Sequence, residues 1–236
     1  VNLPRPTPNL ARLADAARKL APLLHQIAFV GGCVTELLLS DPAAAPVRST
    51  LDVDAIIATA SYAEFTLLEK RMRELGFRES HSDGAPICRW LHEDLILDLM
   101  PADSTILGFG NRWYRPALEN AQRTSIGEYS IQLITAPYFL ATKLEAFHGR
   151  GKNDFRMSHD LEDIVTVIDG RPELVEEVRG VAANLKKFLS DEFRDLLSNR
   201  AFLDALPGHL LPDAASQQRA HLVLRRMQQF VLEDKG

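Results

Sequence analysis

Apolar positions along this chain follow two periods. Leu10, Leu13, Ala17, Leu20 and Leu24 recur at helical spacing, so a helix is predicted over 10–24, with Asn9 as its candidate N-cap. Residues 26–30 form a short apolar run that reads as a buried strand, halted by Gly31-Gly32, and a second helix is expected over 33–40 before Asp41-Pro42. Residues 43–49 read as a loop. The segment 51–58, LDVDAIIA, reads as a strand with two acids embedded in it. A helix over 63–75 stops at Gly76, strands at 77–79 and 87–92 surround a polar turn, and 95–100, LILDLM, is a strand ended by Pro101. Residues 101–128 carry Gly, Asn, Pro and aromatics without a period and read as irregular. Residues 130–134 are expected to add an edge strand.

Beyond Pro137 the period is helical, over 138–148, 158–168, 172–190, 191–205 and 214–233. Strands therefore precede residue 135 and helices follow it. The expected class is α/β (α+β), with a mixed-sheet domain over 1–135 and a helical domain over 136–236.

Composition narrows the class of function. The chain has 236 residues, 46% hydrophobic and 25% charged, which excludes a disordered chain, a collagen-like chain and a disulfide-stapled miniprotein. The formal net charge of −5 argues against a sequence-independent nucleic-acid coat, which needs excess cation. Cys33 and Cys88 lack the spacing of a zinc site. The Pro-rich residues 1–9 lack the apolar core of a signal peptide, and the apolar runs fall short of the roughly 20 residues of a membrane span. The expectation is a soluble, cytoplasmic protein without membrane contact.

The densest chemistry lies in Thr50-Leu51-Asp52-Val53-Asp54. Residues two apart in a strand share a face, so both carboxylates project together. Adjacent carboxylates repel, and a divalent cation relieves that repulsion; magnesium suits such oxygen ligands together with substrate phosphates. A solvated strand face would carry the same pattern. Asp98, alone in an apolar strand, would join Asp52 and Asp54 if its strand lies beside theirs. The strand–glycine pair–helix run from Phe29 to Leu38 offers backbone that a phosphate can approach closely.

A second group sits in the helical half. Asp160 and Asp163 are three apart and share a helix face, with Arg156 and His159 on an overlapping one. Lys143, His148, Arg150, Lys152, Arg156 and His159 make a locally basic stretch where a triphosphate could sit. A solvated, internally salt-bridged helix face is the plain alternative.

Gly31-Gly32, the Asp52-x-Asp54 pair and Asp98 together resemble the signature of the DNA polymerase β-type nucleotidyltransferase superfamily, with Arg48-Ser49-Thr50 also fitting ahead of the pair. The run from Phe29 to Leu39 echoes the opening of CCA-adding and poly(A) polymerases, which carry Arg-Asp where this chain has Thr35-Glu36. Arg156-Met157-Ser158-His159-Asp160-Leu161-Glu162-Asp163, with Lys143 upstream, is similar to the RxxKDxxD block of the AbiEii/MenT group, toxins of type IV toxin–antitoxin systems. His159 stands where that group has Lys, and Gly32 where it has Ser.

The resemblance implies a nucleotidyltransferase-like mixed sheet flanked by helices. It implies transfer of a nucleoside monophosphate from a nucleoside triphosphate to an acceptor hydroxyl with two Mg²⁺ ions. Asp52, Asp54 and Asp98 would be the metal ligands. The catalytic set would be these three with Lys143 and Asp160. Gly31, Gly32, Arg48, Thr50, Lys143, Arg156 and Asp163 would bind the nucleotide. The implied partners are an RNA acceptor, tRNA in particular, and a cognate antitoxin protein. A small-molecule (aminoglycoside-type) nucleotidyltransferase and a non-catalytic nucleotide-binding or interaction module remain alternatives.

Other residues add less. Cys33 reads as a small packed residue. Trp90 reads as core, while Trp113-Tyr114, flanked by Arg112 and Arg115, are open to a nucleotide contact. Arg219, Arg225 and Arg226 read as an ordinary solvated face.

Overall fold

A computed structural model describes residues 6–59, 61–150 and 154–232. The chain divides into two compact units, Val1–Glu36 with Arg48–Thr135, and Leu37–Val47 with Ala136–Gly236.

The first unit is built on a seven-stranded mixed sheet. Its strands are β1 (Ile27–Val30), β2 (Asp52–Ile57), β3 (Arg78–Glu79), β4 (Arg89–His92), β5 (Leu95–Pro101), β6 (Gln122–Ile126) and β7 (Tyr129–Leu133), in the order β3-β4-β5-β2-β1-β7-β6. β2 runs parallel to β5 and β1 parallel to β7; the other neighbours are antiparallel. The edges are a two-residue charged strand, β3, and a mostly polar one, β6, and both features discourage edge-to-edge pairing. The segment 130–134, expected at an edge, instead lies inside the sheet between β1 and β6. The strand that displaces it, β6, falls in the stretch expected to be irregular, and so does a short helix, α3 (Tyr114–Glu119).

Two longer helices complete this unit, α1 (Pro8–Lys19) and α2 (Tyr62–Glu74). α1 packs on the sheet through a stripe that includes Leu13, Ala16 and Ala17. Thr7 caps α1, its hydroxyl accepting from the Leu10 N–H. Asn9 is therefore not the cap. Its buried side chain accepts the Thr50 N–H at 2.9 Å and donates to the Arg48 carbonyl at 2.9 Å, pinning the stretch that leads into β2.

Strand alternation gives the sheet two unlike faces. Val53, Ala55 and Ile57 on β2, Leu95, Leu97 and Leu99 on β5, and Trp90 on β4 are all buried on one of them. The other carries the acids.

The second unit is helical: α4 (Ala136–Arg150), α5 (His159–Gly170), α6 (Leu174–Gly180), α7 (Ala183–Ser198), α8 (Arg200–Ala205), α9 (Ala214–Gln218) and α10 (Ala220–Leu232). Nine consecutive residues of α4, Ala136 to Leu144, are buried, as suits a helix enclosed by others. The expected boundary at 190/191 falls inside α7. Ser190 is buried there, and Asp191 forms ion pairs with Lys187 and Arg194 within the same helix, so the residues that looked like a cap are helix interior. Among the described residues no helix is long and apolar enough to cross a membrane.

Candidate functional site

In the first unit the acids come together as register dictates. Asp54 on β2 pairs with Asp98 on β5, and Val30 at the end of β1 pairs with Asp54. Paired residues share a sheet face, and Asp52, two positions before Asp54, shares it too. Just past Val30 the chain turns at Gly31, whose φ of 72° lies in the left-handed region. The Asp54 carboxylate lies directly over this glycine: a Cβ at position 31 would sit 1.9 Å from Asp54 Oδ2. Gly31 is thus required twice, for its backbone angle and for the space that Asp54 fills. Gly32 then opens a 3₁₀ helix, Gly32–Leu38, where an ordinary helix was expected.

The residue that sequence reasoning missed is Arg89. It pairs with Asp98 across β4 and β5. Its Nε donates to Asp98 Oδ1 at 2.8 Å, and its Nη2 donates to Asp98 Oδ2 at 2.7 Å and to Asp52 Oδ2 at 2.9 Å. These bonds, led by the one to Asp98, raise the guanidinium pKa above its ordinary value. The signal available in the sequence was an arginine inside an apolar strand, WLH following it and Ile-Cys preceding it. Cys88, in the turn just before β4, is buried; that burial, with Asp98 nearby, pushes its thiol up to about 12.

Three aspartates are the right chemistry for a hard divalent cation. Arg89 takes up the space between Asp52 and Asp98, and Asp54 is turned over Gly31. Among the described residues no group of three or more His, Cys, Asp or Glu is placed to hold an ion.

Of the residues expected to bind nucleotide in this unit, Thr50 is buried, and its hydroxyl donates to the Asp52 carbonyl at 3.1 Å. It therefore shapes the backbone entering β2. Arg48 is half-buried.

The second unit holds the other expected group. Lys143 on α4 is buried, with Nζ 2.6 Å from Asp163 Oδ2 and 3.1 Å from Asp160 Oδ1, both on α5. The shared face of Asp160 and Asp163 is used to clamp Lys143. Arg150 donates to both oxygens of Asp160, at 2.9 and 3.0 Å, from an exposed position. Burial pushes the Asp160 carboxyl up, but the Arg150 hydrogen bonds and the Lys143 charge outweigh it and hold the pKa below the ordinary value. Arg156 is exposed and lies in the turn before α5, whose cap is Ser158, so it does not share the helix face with Asp160. The basic stretch is largely neutralised: His148 meets Glu192 at 2.5 Å and His159 meets Glu162 at 3.1 Å. Lys152 lies outside the described residues.

No family model and no curated protein matches this sequence. Among solved structures the chain is similar to an antigenic nucleotidyltransferase-like protein from Paracoccidioides brasiliensis, with a TM-score of 0.49 and 22% identity over 84% of this chain and 92% of that one.

The remaining residues singled out by sequence find other uses. Cys33 is buried, its thiol donating to the Val30 carbonyl at 3.5 Å, and Trp90 is core. Trp113 is buried too, with the Arg112 guanidinium 5.7 Å from its ring, so it offers no open stacking face. Tyr114 reaches the acid face of the sheet, where its hydroxyl meets Met100 Sδ at 3.2 Å. Arg219 and Arg226 are not a solvated face. Arg219 binds Asp169 at 2.7 and 2.8 Å and Asp41 at 2.7 Å, and Arg226 donates to the Ile168 and Asp169 carbonyls.

Proposed function

We propose that this chain is a nucleotidyltransferase that moves a nucleoside monophosphate from a nucleoside triphosphate onto an acceptor hydroxyl, with tRNA as the acceptor and a toxin-like role under a cognate antitoxin, as in the AbiEii/MenT group. One observation carries this reading. Asp54 and Asp98, on adjacent parallel strands, share a sheet face with Asp52, and Asp54 lies against the left-handed glycine that ends β1. In the reaction the acceptor oxygen bonds to the α-phosphorus, the bond from that phosphorus to the β-phosphate oxygen breaks, and pyrophosphate leaves. The hydroxyl proton passes to a carboxylate of the cluster, while the bend at Gly31-Gly32 meets the triphosphate through its backbone. In the second unit, Lys143 holds Asp160 and Asp163 together across α4 and α5. Magnesium would enter only at the three carboxylates, two of which hold Arg89 in this structure.

A tRNA acceptor calls for cations at the rim of the acids. Arg12 lies against Ser49, its Nη1 3.3 Å from the hydroxyl, and Arg89 sits on Asp52. An aminoglycoside-type acceptor would instead want an acidic pocket.

The test is label transfer. The protein is incubated with magnesium and each α-labelled nucleoside triphosphate, with total tRNA, with aminoglycosides, or alone. Label in tRNA with the wild type and none with Asp54→Asn is expected. Label in an aminoglycoside would favour the small-molecule enzyme, and no label under any condition would remove transfer altogether.

A further inference from the structure

The acid face of the sheet holds a cation of its own. The Arg89 guanidinium makes a two-pronged fork on Asp98 and, through the same Nη2, reaches Asp52. One fixed positive charge thus meets carboxylates from two adjacent strands, in the gap between them. A divalent ion seeking those oxygens must take them from the guanidinium, because two cations cannot share so small a space.

We propose that Arg89 is a displaceable internal counter-ion, which offsets part of the charge of Asp52 and Asp98 in the metal-free protein and competes with a divalent cation for the same carboxylates. Its purpose rests on the nucleotidyl-transfer reading; the geometry does not. Two features allow the exchange. The Arg89 side chain is 24% exposed, so the guanidinium has a route to water. Its strand neighbour Trp90 faces the opposite way and is buried, which anchors β4 while the Arg89 side chain swings. Once released, a guanidinium presents five donors in a plane, a geometry matched to phosphate oxygens. Cation entry and the freeing of an anion ligand are then one event. A nucleoside triphosphate that arrives with its cation supplies both halves of the exchange, so metal and nucleotide bind more tightly together than apart.

The probe is Mn²⁺, titrated calorimetrically into the full chain without nucleotide. Wild type is compared with Arg89→Gln, Arg89→Lys and the double variant Arg89→Gln/Asp98→Asn, each checked for folding by circular dichroism. Arg89→Gln is expected to bind Mn²⁺ about tenfold more tightly than wild type, equivalent to about 1.4 kcal/mol. Arg89→Lys keeps the charge but loses the fork, and falls between the two. Adding Asp98→Asn removes the gain. Equal or weaker Mn²⁺ binding in Arg89→Gln overturns the proposal, and Arg89→Lys decides the same question if the glutamine variant does not fold. The transfer assay separates this from the enzyme reading. Absent transfer with a gain in Mn²⁺ affinity leaves the counter-ion standing alone. Transfer with unchanged affinity leaves the enzyme without it.

Discussion

A carboxylate taken out of water needs a cation, and two clusters show how this chain supplies one. Asp160 and Asp163 take Lys143 between two helices, and Asp52 and Asp98 take Arg89 across the sheet. Lys143→Met would leave two buried acids without their shared ammonium, at a cost of about 3–5 kcal/mol. Asp160 also gives this loss a pH signature. Its pKa is held below the ordinary value, so its stabilisation is complete above the unfolded value of about 3.9 and is lost as pH falls through the lower folded value. Urea midpoints of wild type and Lys143→Met should therefore differ clearly at neutral pH and converge in acid. An unchanged midpoint at neutral pH would mean that the cluster is solvated. The pairs Asp52/Asp54 and Asp160/Asp163 were legible in the sequence, because a spacing of two in a strand or three in a helix assigns a face without any knowledge of the fold. Arg89 was not legible: its role depends on β4 lying beside β5 and β5 beside β2, and no local period encodes strand order.

Elements were readable where they were long and periodic. β2 and β5 lie within a residue or so of their expected spans, because an acid inside an apolar run does not interrupt alternation. α3 was hidden because six residues are too few to show a helical period, and β6 because it is largely polar. The start of α1 shows how a wrong detail can mask a useful contact. Asn9 has the chemistry of a cap, yet Thr7 takes that role and Asn9 reaches forward to Arg48 and Thr50. Asn9→Ala would strand the Thr50 N–H and the Arg48 carbonyl, costing about 1–3 kcal/mol and speeding hydrogen exchange at the Thr50 amide. Thr7→Ala would cost about 1 kcal/mol and fray α1 while the Thr50 amide stays protected. The same exchange behaviour in both variants would show that α1, and not Asn9, holds the approach to β2.

At the scale of the whole chain, residues 37–47 leave the first unit and are fastened within the second. The Ser40 and Asp41 amides donate to the Gly170 carbonyl at 2.9 and 3.0 Å, Arg171 donates to the Leu38 carbonyl at 2.7 Å, and Arg219 joins Asp41 to Asp169. Gly170 permits the approach, since a Cβ there would lie 2.8 Å from a Leu39 methyl. Arg219→Met would leave the buried Asp169 without its guanidinium partner, costing about 3 kcal/mol. It should accelerate hydrogen exchange at Ser40 and Asp41 and leave the amides of β2 and β5 unaffected. Slow exchange at Ser40 in the variant would show that the backbone bonds alone hold the segment.

The pairing of Arg89 with Asp98 also bears on the order in which the acid face can assemble. These two partners are nine residues apart, on strands joined by Glu93 and Asp94, whereas Asp52 must be brought in from 37 residues away. Short loops close sooner than long ones. The hairpin can therefore set Arg89 on Asp98 first, and the strand carrying the other two aspartates then docks beside a guanidinium already in place.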